Sequence, residues 1–159
     1  MSLGLSCPWP RPSGRANLQQ RIISQLDDFQ LSGGLTQIAV FTALEAITEG
    51  DAVYVNSSGR VGRARADASS TMHAIGVAAE SIASLGAGRV ITHGPKRTAN
   101  YDASGRLGLF AFVSPTTAGG VTGVPPSSSG QIRQQVGIWQ DRTLLYVSLG
   151  GASQVGGVL

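Results

Sequence analysis

Residues 51–64 read DAVYVNSSGRVGRA. Two short apolar, β-branched runs flank the polar triplet Ser57-Ser58-Gly59, the pattern of strand, tight turn and returning strand. Glu49-Gly50-Asp51 turns the chain into the first run. Within it Val53 and Val55 fall on one side and Tyr54 on the other, as strand alternation requires.

Working outward, the same grammar repeats. LTQIAVF (35–41) precedes this hairpin, and AIGVAAE (74–80) and GRVITHG (88–94) follow it. The Asp102–Gly105 turn leads into RLGLFAFV (106–113); QIRQQVGIW (131–139) and RTLLYVSL (142–149) close the series around a tight Gln140-Asp141 turn. Turn signals every 8–15 residues or so, with no helix-length segment alternating with the strands, argue against a parallel α/β sheet. The expectation is an all-β domain over 35–150, an antiparallel β-sandwich or barrel. Gly76 and Gly137 interrupt apolar strands, which marks bulges or the close approach of another backbone. Between Val113 and Gln131 lies a Ser/Thr/Gly/Pro stretch, SPTTAGGVTGVPPSSSG, expected to shape an edge and a contact surface. The tail GGASQVGGVL (150–159), Gly-rich, is expected from residue 151 as a C-terminal second arm.

Residues 1–34 read differently. Pro8, Pro10 and Pro12 favour an extended, polyproline-like arm, with Trp9 in its middle. Trp is a common interface anchor, so Trp9, Pro8, Pro10, Arg11 and Arg15 are the candidate contact residues of this arm. Leu18, Ile22, Leu26 and Phe29 recur at helical spacing before Gly33-Gly34, predicting one short amphipathic helix. Its apolar stripe fits packing on its own domain or on a neighbouring subunit.

Composition narrows the function class. Glycine accounts for 22 of 159 residues, and charged residues for only 13%, about half the usual share. With 42% apolar residues and a net charge of +3, the chain can build a core. The basic residues are eleven scattered Arg and one Lys, without the clustered footprint of a nucleic-acid binder. Arginine's planar fork suits protein interfaces, here toward an acidic surface. A single cysteine, Cys7, excludes an internal disulfide, and no apolar run approaches a membrane span. No secretion signal is read at the N-terminus.

Catalytic patterns are missing. His73 and His93 are the only histidines and match no zinc spacing. His73 is expected on a loop and His93, before Gly94-Pro95, at a strand end. Nucleophile-elbow, zincin and phosphate-loop signatures do not occur. Glu45, Glu49 and Asp51 gather around Gly50 and read as a solvated turn. Paired carboxylates for glycan hydrolysis need only spatial proximity, which leaves a small hydrolase as a distant third reading. No cofactor is expected.

The order ALEAITEGDAVYV (43–55), GRVGRARADA (59–68), AIGVA (74–78), then GRLGLFAFVSPTTAGGVT and VPPSSSGQIRQQVGI, resembles a β-rich module of tailed-bacteriophage virion proteins. The resemblance covers Thr42 to Leu149. It implies a β-barrel or sandwich, a homotrimer and no enzymatic activity. Among such proteins it points to a capsid decoration (cement) protein. That protein would bind the major capsid protein on the outer surface of the head, after assembly in the host cytoplasm, and stabilise the shell by bridging its subunits. A head-fibre or tail-fibre component is the alternative. Fibres need long repetitive shafts, which this chain lacks. Nucleic acid and membrane are not expected as partners.

Overall fold

The computed structural model describes residues 36–157. The expected arm (Trp9, Pro8, Pro10, Arg11, Arg15) and the expected helix (Leu18, Ile22, Leu26, Phe29) lie outside the described residues. Those described are almost entirely β-structure: an antiparallel sheet curled into a half-barrel, with a single 3-10 turn at Ser69–Thr71. The ten strands are β1 (Gln37–Thr42), β2 (Ala52–Val55), β3 (Val61–Arg63), β4 (Ala74–Ala78), β5 (Ala87–Arg97), β6 (Phe110–Val113), β7 (Val121–Thr122), β8 (Ile132–Asp141), β9 (Leu144–Ser148) and β10 (Ala152–Gln154).

The hairpin read first from sequence is β2–β3, in register Val53↔Arg63 to Val55↔Val61. Its turn is organised by Asn56. The side-chain oxygen Oδ1 accepts from the Ser58 and Arg60 amides (3.0 and 2.9 Å) and from the Ser58 hydroxyl, while Gly59 takes a positive φ of 78°. Asn supplies this local acceptor naturally.

The sheet runs β3-β2-β4-β5-β9-β8-β6-β7, with β1 added on β5 and β10 on β8. β5 is the hub. Val90 pairs with both Ala39 and Ala78, and His93 with both Gln37 and Ser148. Since a residue's two partners lie on opposite edges, β4 and β9 follow each other along the same edge of β5, facing β1. The sheet divides there.

Both expected glycines sit beside irregularities. β2 pairs Val53↔Gly76 and then Tyr54↔Ala74, skipping Ile75; β6 pairs Ala111↔Gly137 and then Phe112↔Gln135, skipping Val136. A Cβ at Gly76 would lie 2.2 Å from the Ile91 carbonyl oxygen, and one at Gly137 2.0 Å from that of Tyr146. Close backbone approach therefore requires glycine at both positions.

Strands β2, β4 and β5 are buried on both faces. Ala52, Val77 and Ile91 face the main core with Val113, Val136, Trp139, Leu145 and Val147. Val53, Ala78 and Val90 face a second cluster closed by Ala43, Ile47, Val61 and Ile82.

Three expectations change. The turn expected at Gln140-Asp141 falls instead at Arg142-Thr143, because β8 runs on to Asp141, which pairs with Leu144. His93 does not end a strand. β5 continues through Gly94, at φ 119°, into Pro95↔Tyr146 and on to Arg97↔Leu144. Gly94 accepts the bend, so the strand survives it. The Gly-rich tail is not an arm from residue 151. Ala152–Gln154 forms β10 against Ile132–Gln134, and Val155 donates to the Gln131 carbonyl (2.8 Å). Three residues are too few to display a period, so the glycines around them dominate the sequence pattern.

Candidate functional site

The Ser/Thr/Gly/Pro stretch is ordered by its own polar groups. Buried Ser114 accepts from the Thr116 and Thr117 amides (3.2 and 3.1 Å). Gln131 Oε1 accepts from the Ser127 and Ser128 amides (3.1 and 3.0 Å), and Arg133 donates twice to the Pro126 carbonyl (3.2 and 3.0 Å). The stretch lines two clefts, one of about 480 Å3 and one of about 330 Å3.

The larger cleft also receives Glu49, Asp51, Asn100, Tyr101 and Asp102. Its carboxylates are already engaged. Lys96, buried on β5, donates from Nζ to Glu49 Oε1 and to the Ala79 carbonyl (2.8 Å). Asp102 is held down at about 2 by the Ser104 hydroxyl (2.6 Å) and by Arg142 (3.0 Å). Asp51 behaves oppositely: loss of hydration raises its carboxyl above the usual range, against the pull of the Thr48 amide (2.9 Å). Burial likewise pushes the Tyr101 hydroxyl up, with the Asp51 and Glu49 charges adding to it. That hydroxyl donates to the Gly50 carbonyl (2.9 Å), and its ring meets Trp139 edge-on at 5.2 Å.

The acidic triplet around Gly50 is thus divided. Glu45 points away to Arg63, accepting at 3.0 Å from the backbone amide and at 3.2 and 3.0 Å from the guanidinium. Among the described residues, no group of three or more His, Cys, Asp and Glu side chains is placed to hold a metal ion. No helix among them is long and apolar enough to cross a membrane. His73 is in a loop, and His93 contacts the Tyr146 hydroxyl at 3.3 Å with the rings perpendicular.

The apolar surface is the more distinctive feature. Ile38 and Val40 project from β1, with Val40 68% exposed. Leu44 and Leu85 are also exposed where the chain leaves β1, at a junction fixed by the Ala43–Gly86 and Leu85–Ala43 backbone bonds (2.8 and 3.0 Å). Leu107, Leu109 and Phe110, each more than half exposed, lead into β6. No family model, curated protein or solved structure matches this chain.

None of the contact residues expected from sequence falls within the described residues. Sequence reading passed over Lys96, the chain's only lysine, and Gln134. The buried Gln134 carboxamide accepts from the Ala74 amide (2.8 Å) and donates to the Ala74 carbonyl (3.0 Å). Its signal was a polar residue at an inward-facing position of QIRQQVGIW.

Proposed function

We propose that this chain is a capsid decoration protein of a tailed bacteriophage. In this reading it assembles as a homotrimer, binds the major capsid protein on the outer face of the head and stabilises the shell by bridging subunits. The observation that supports it best is the exposed apolar surface at Ile38, Val40, Leu44 and Leu85 and at Leu107, Leu109 and Phe110. Exposed apolar surface beyond scattered single residues marks a contact face. The resemblance over Thr42–Leu149 names the partner class, and the Pro-rich residues 1–14, with Trp9 as anchor, are the proposed contact arm.

The experiment compares particles with and without this protein. Undecorated heads are expected to assemble, to release DNA at lower temperature, and to regain heat resistance when purified protein is added back. Protein lacking residues 1–14 is expected to fold but not to restore it. Equal heat resistance without the protein, together with failed adsorption to host cells, would replace the cement reading with the fibre reading.

A further inference from the structure

Seven of the described residues are Asp or Glu, and six of them are ion-paired. Arg63 holds Glu45, Arg65 holds Asp67, Arg89 holds Glu80, Lys96 holds Glu49, Arg97 holds Asp141 and Arg142 holds Asp102. Asp51 is the one carboxylate among the described residues with no cation of its own. It lines the larger cleft, half-buried, and its side chain is engaged only through Oδ2, by the Thr48 amide (2.9 Å). The positive charge that Arg63 brings to it is offset by Glu45. Glu49 and Asp102 in the same cleft are neutralised by Lys96 and Arg142. The charge left over in the cleft is that of Asp51.

This carboxylate is held still. The Asp51 amide donates to the Thr48 carbonyl (3.0 Å), the Asp51 carbonyl accepts from Ala78 (2.9 Å), and Ala52 donates to the Gly119 carbonyl (2.8 Å). Gly119, at φ 76°, brings its loop so near that a Cβ there would lie 2.5 Å from Asp51 Cγ. Burial strips water from the carboxylate and raises its proton affinity, the mark of a charge with too little compensation. A cation entering the cleft would compensate it, with little ordering cost on the receptor side. A calcium ion takes about 6–8 oxygen ligands, and no group of three or more His, Cys, Asp and Glu side chains among the described residues is placed to hold a metal. A guanidinium fits better: its planar fork matches a carboxylate, and it sheds water more readily than an ammonium.

We propose that this cleft receives an arginine side chain of a partner protein, with Asp51 as its anchor. Asn100, Thr116, Thr117 and Thr122 line the same cleft and offer amide and hydroxyl oxygens to the remaining guanidinium N–H groups. The smaller cleft shares Ser114, Thr116 and Thr122 with it and adds Pro115, Val124, Pro125 and Pro126. Its lining carries no charge and exposes Val124, so it suits uncharged residues flanking the arginine. The site stands apart from the capsid reading and requires only a partner that presents such a residue.

Titration of the purified full chain, followed by NMR, tests this. The probe is arginine blocked as its N-acetyl amide, compared with blocked lysine and with blocked citrulline, the uncharged isostere. The arginine probe is expected to give saturable shifts at the Asn100, Gly119 and Thr122 amides, lysine weaker ones and citrulline none. Asp51→Asn is expected to weaken arginine binding about tenfold, with circular dichroism controlling for its folding. The wild type gives a second reading that needs no variant: the titration midpoint of the Asp51 carboxyl carbon is expected to fall when arginine is bound. A blocked tripeptide with leucine on both sides of the arginine is expected to bind more tightly and to shift Val124 as well. Absence of saturable shifts at the cleft, equal shifts with citrulline, or unchanged affinity in Asp51→Asn would overturn the proposal. Equal binding of lysine would overturn the choice of guanidinium, and no gain from the tripeptide would overturn the protein partner.

Discussion

Gln134 is a side chain doing the work of a peptide group. Its amide gives Ala74 one acceptor and one donor, as a neighbouring strand would, at the place where β4 leaves the edge of β5 to β9. Replacing Gln134 with Ala orphans two buried backbone groups at about 1–3 kcal/mol each. A clearly lower denaturation midpoint is expected. Gln134→Glu keeps the shape but loses the donor to the Ala74 carbonyl, and should destabilise more at neutral pH than in acid; chemical denaturation at two pH values checks both. Asp51 supplies a second pH signature. Its folded pKa is raised, chiefly by burial. Between its unfolded and folded values the native state binds more protons, so this group makes stability fall as pH rises through that acid window. Asp51→Asn keeps an acceptor for Thr48 and removes the buried charge. It is expected to melt no lower than the wild type at pH 7, with any advantage vanishing below the window. A melting temperature well below wild type at pH 7 would contradict this account. Neither role was visible in the sequence, because Gln134 acts across sixty positions and the hydration of Asp51 depends on loops far along the chain.

At the scale of elements, most of the sheet was legible. Turn residues and short apolar, β-branched runs located β2, β3, β4, β6, β8 and β9, with clear period-two alternation in β6, β8 and β9. Interior Gly76 and Gly137 announced close backbone contact. Gly76→Ala or Gly137→Ala drives a Cβ onto a carbonyl oxygen of the facing strand. Backbone cannot swing aside as a flexible side chain does, so each change is expected to cost about 1–3 kcal/mol. Gly59→Ala serves as the comparison: there a Cβ meets nothing within 4 Å, and only the positive φ resists it. Thermal melts of the three variants should rank Gly59→Ala mildest. The sequence was silent where elements are too short to repeat, as in β7 and β10, or where one strand carries a bend, as β5 does at Gly94-Pro95. The clefts were equally hidden, since loops separated by tens of residues meet to form them.

For the whole molecule, if the chain decorates capsids as proposed, the heat resistance expected of decorated particles would follow from mass action. A ligand that binds the intact shell but not its parts shifts disassembly by an amount set by its concentration over its dissociation constant, roughly 2.7 kcal/mol at a hundredfold excess. Many copies repeat that shift, so weak individual contacts suffice. One feature of the fold bears on how long such a copy lasts. The Gln134–Ala74 bridge spans sixty residues of chain, and β5 gathers partners from both ends of the domain. Contacts this distant in sequence make folding slow, because long loops must close before any pairing rewards them. The same arrangement bears on the reverse step: separating β4 from its neighbours breaks the buried amide bridge as well as the β5 pairings. At a given equilibrium stability a slow folding rate entails a proportionately slow unfolding rate, so a subunit that is slow to make is expected to be correspondingly slow to wear out.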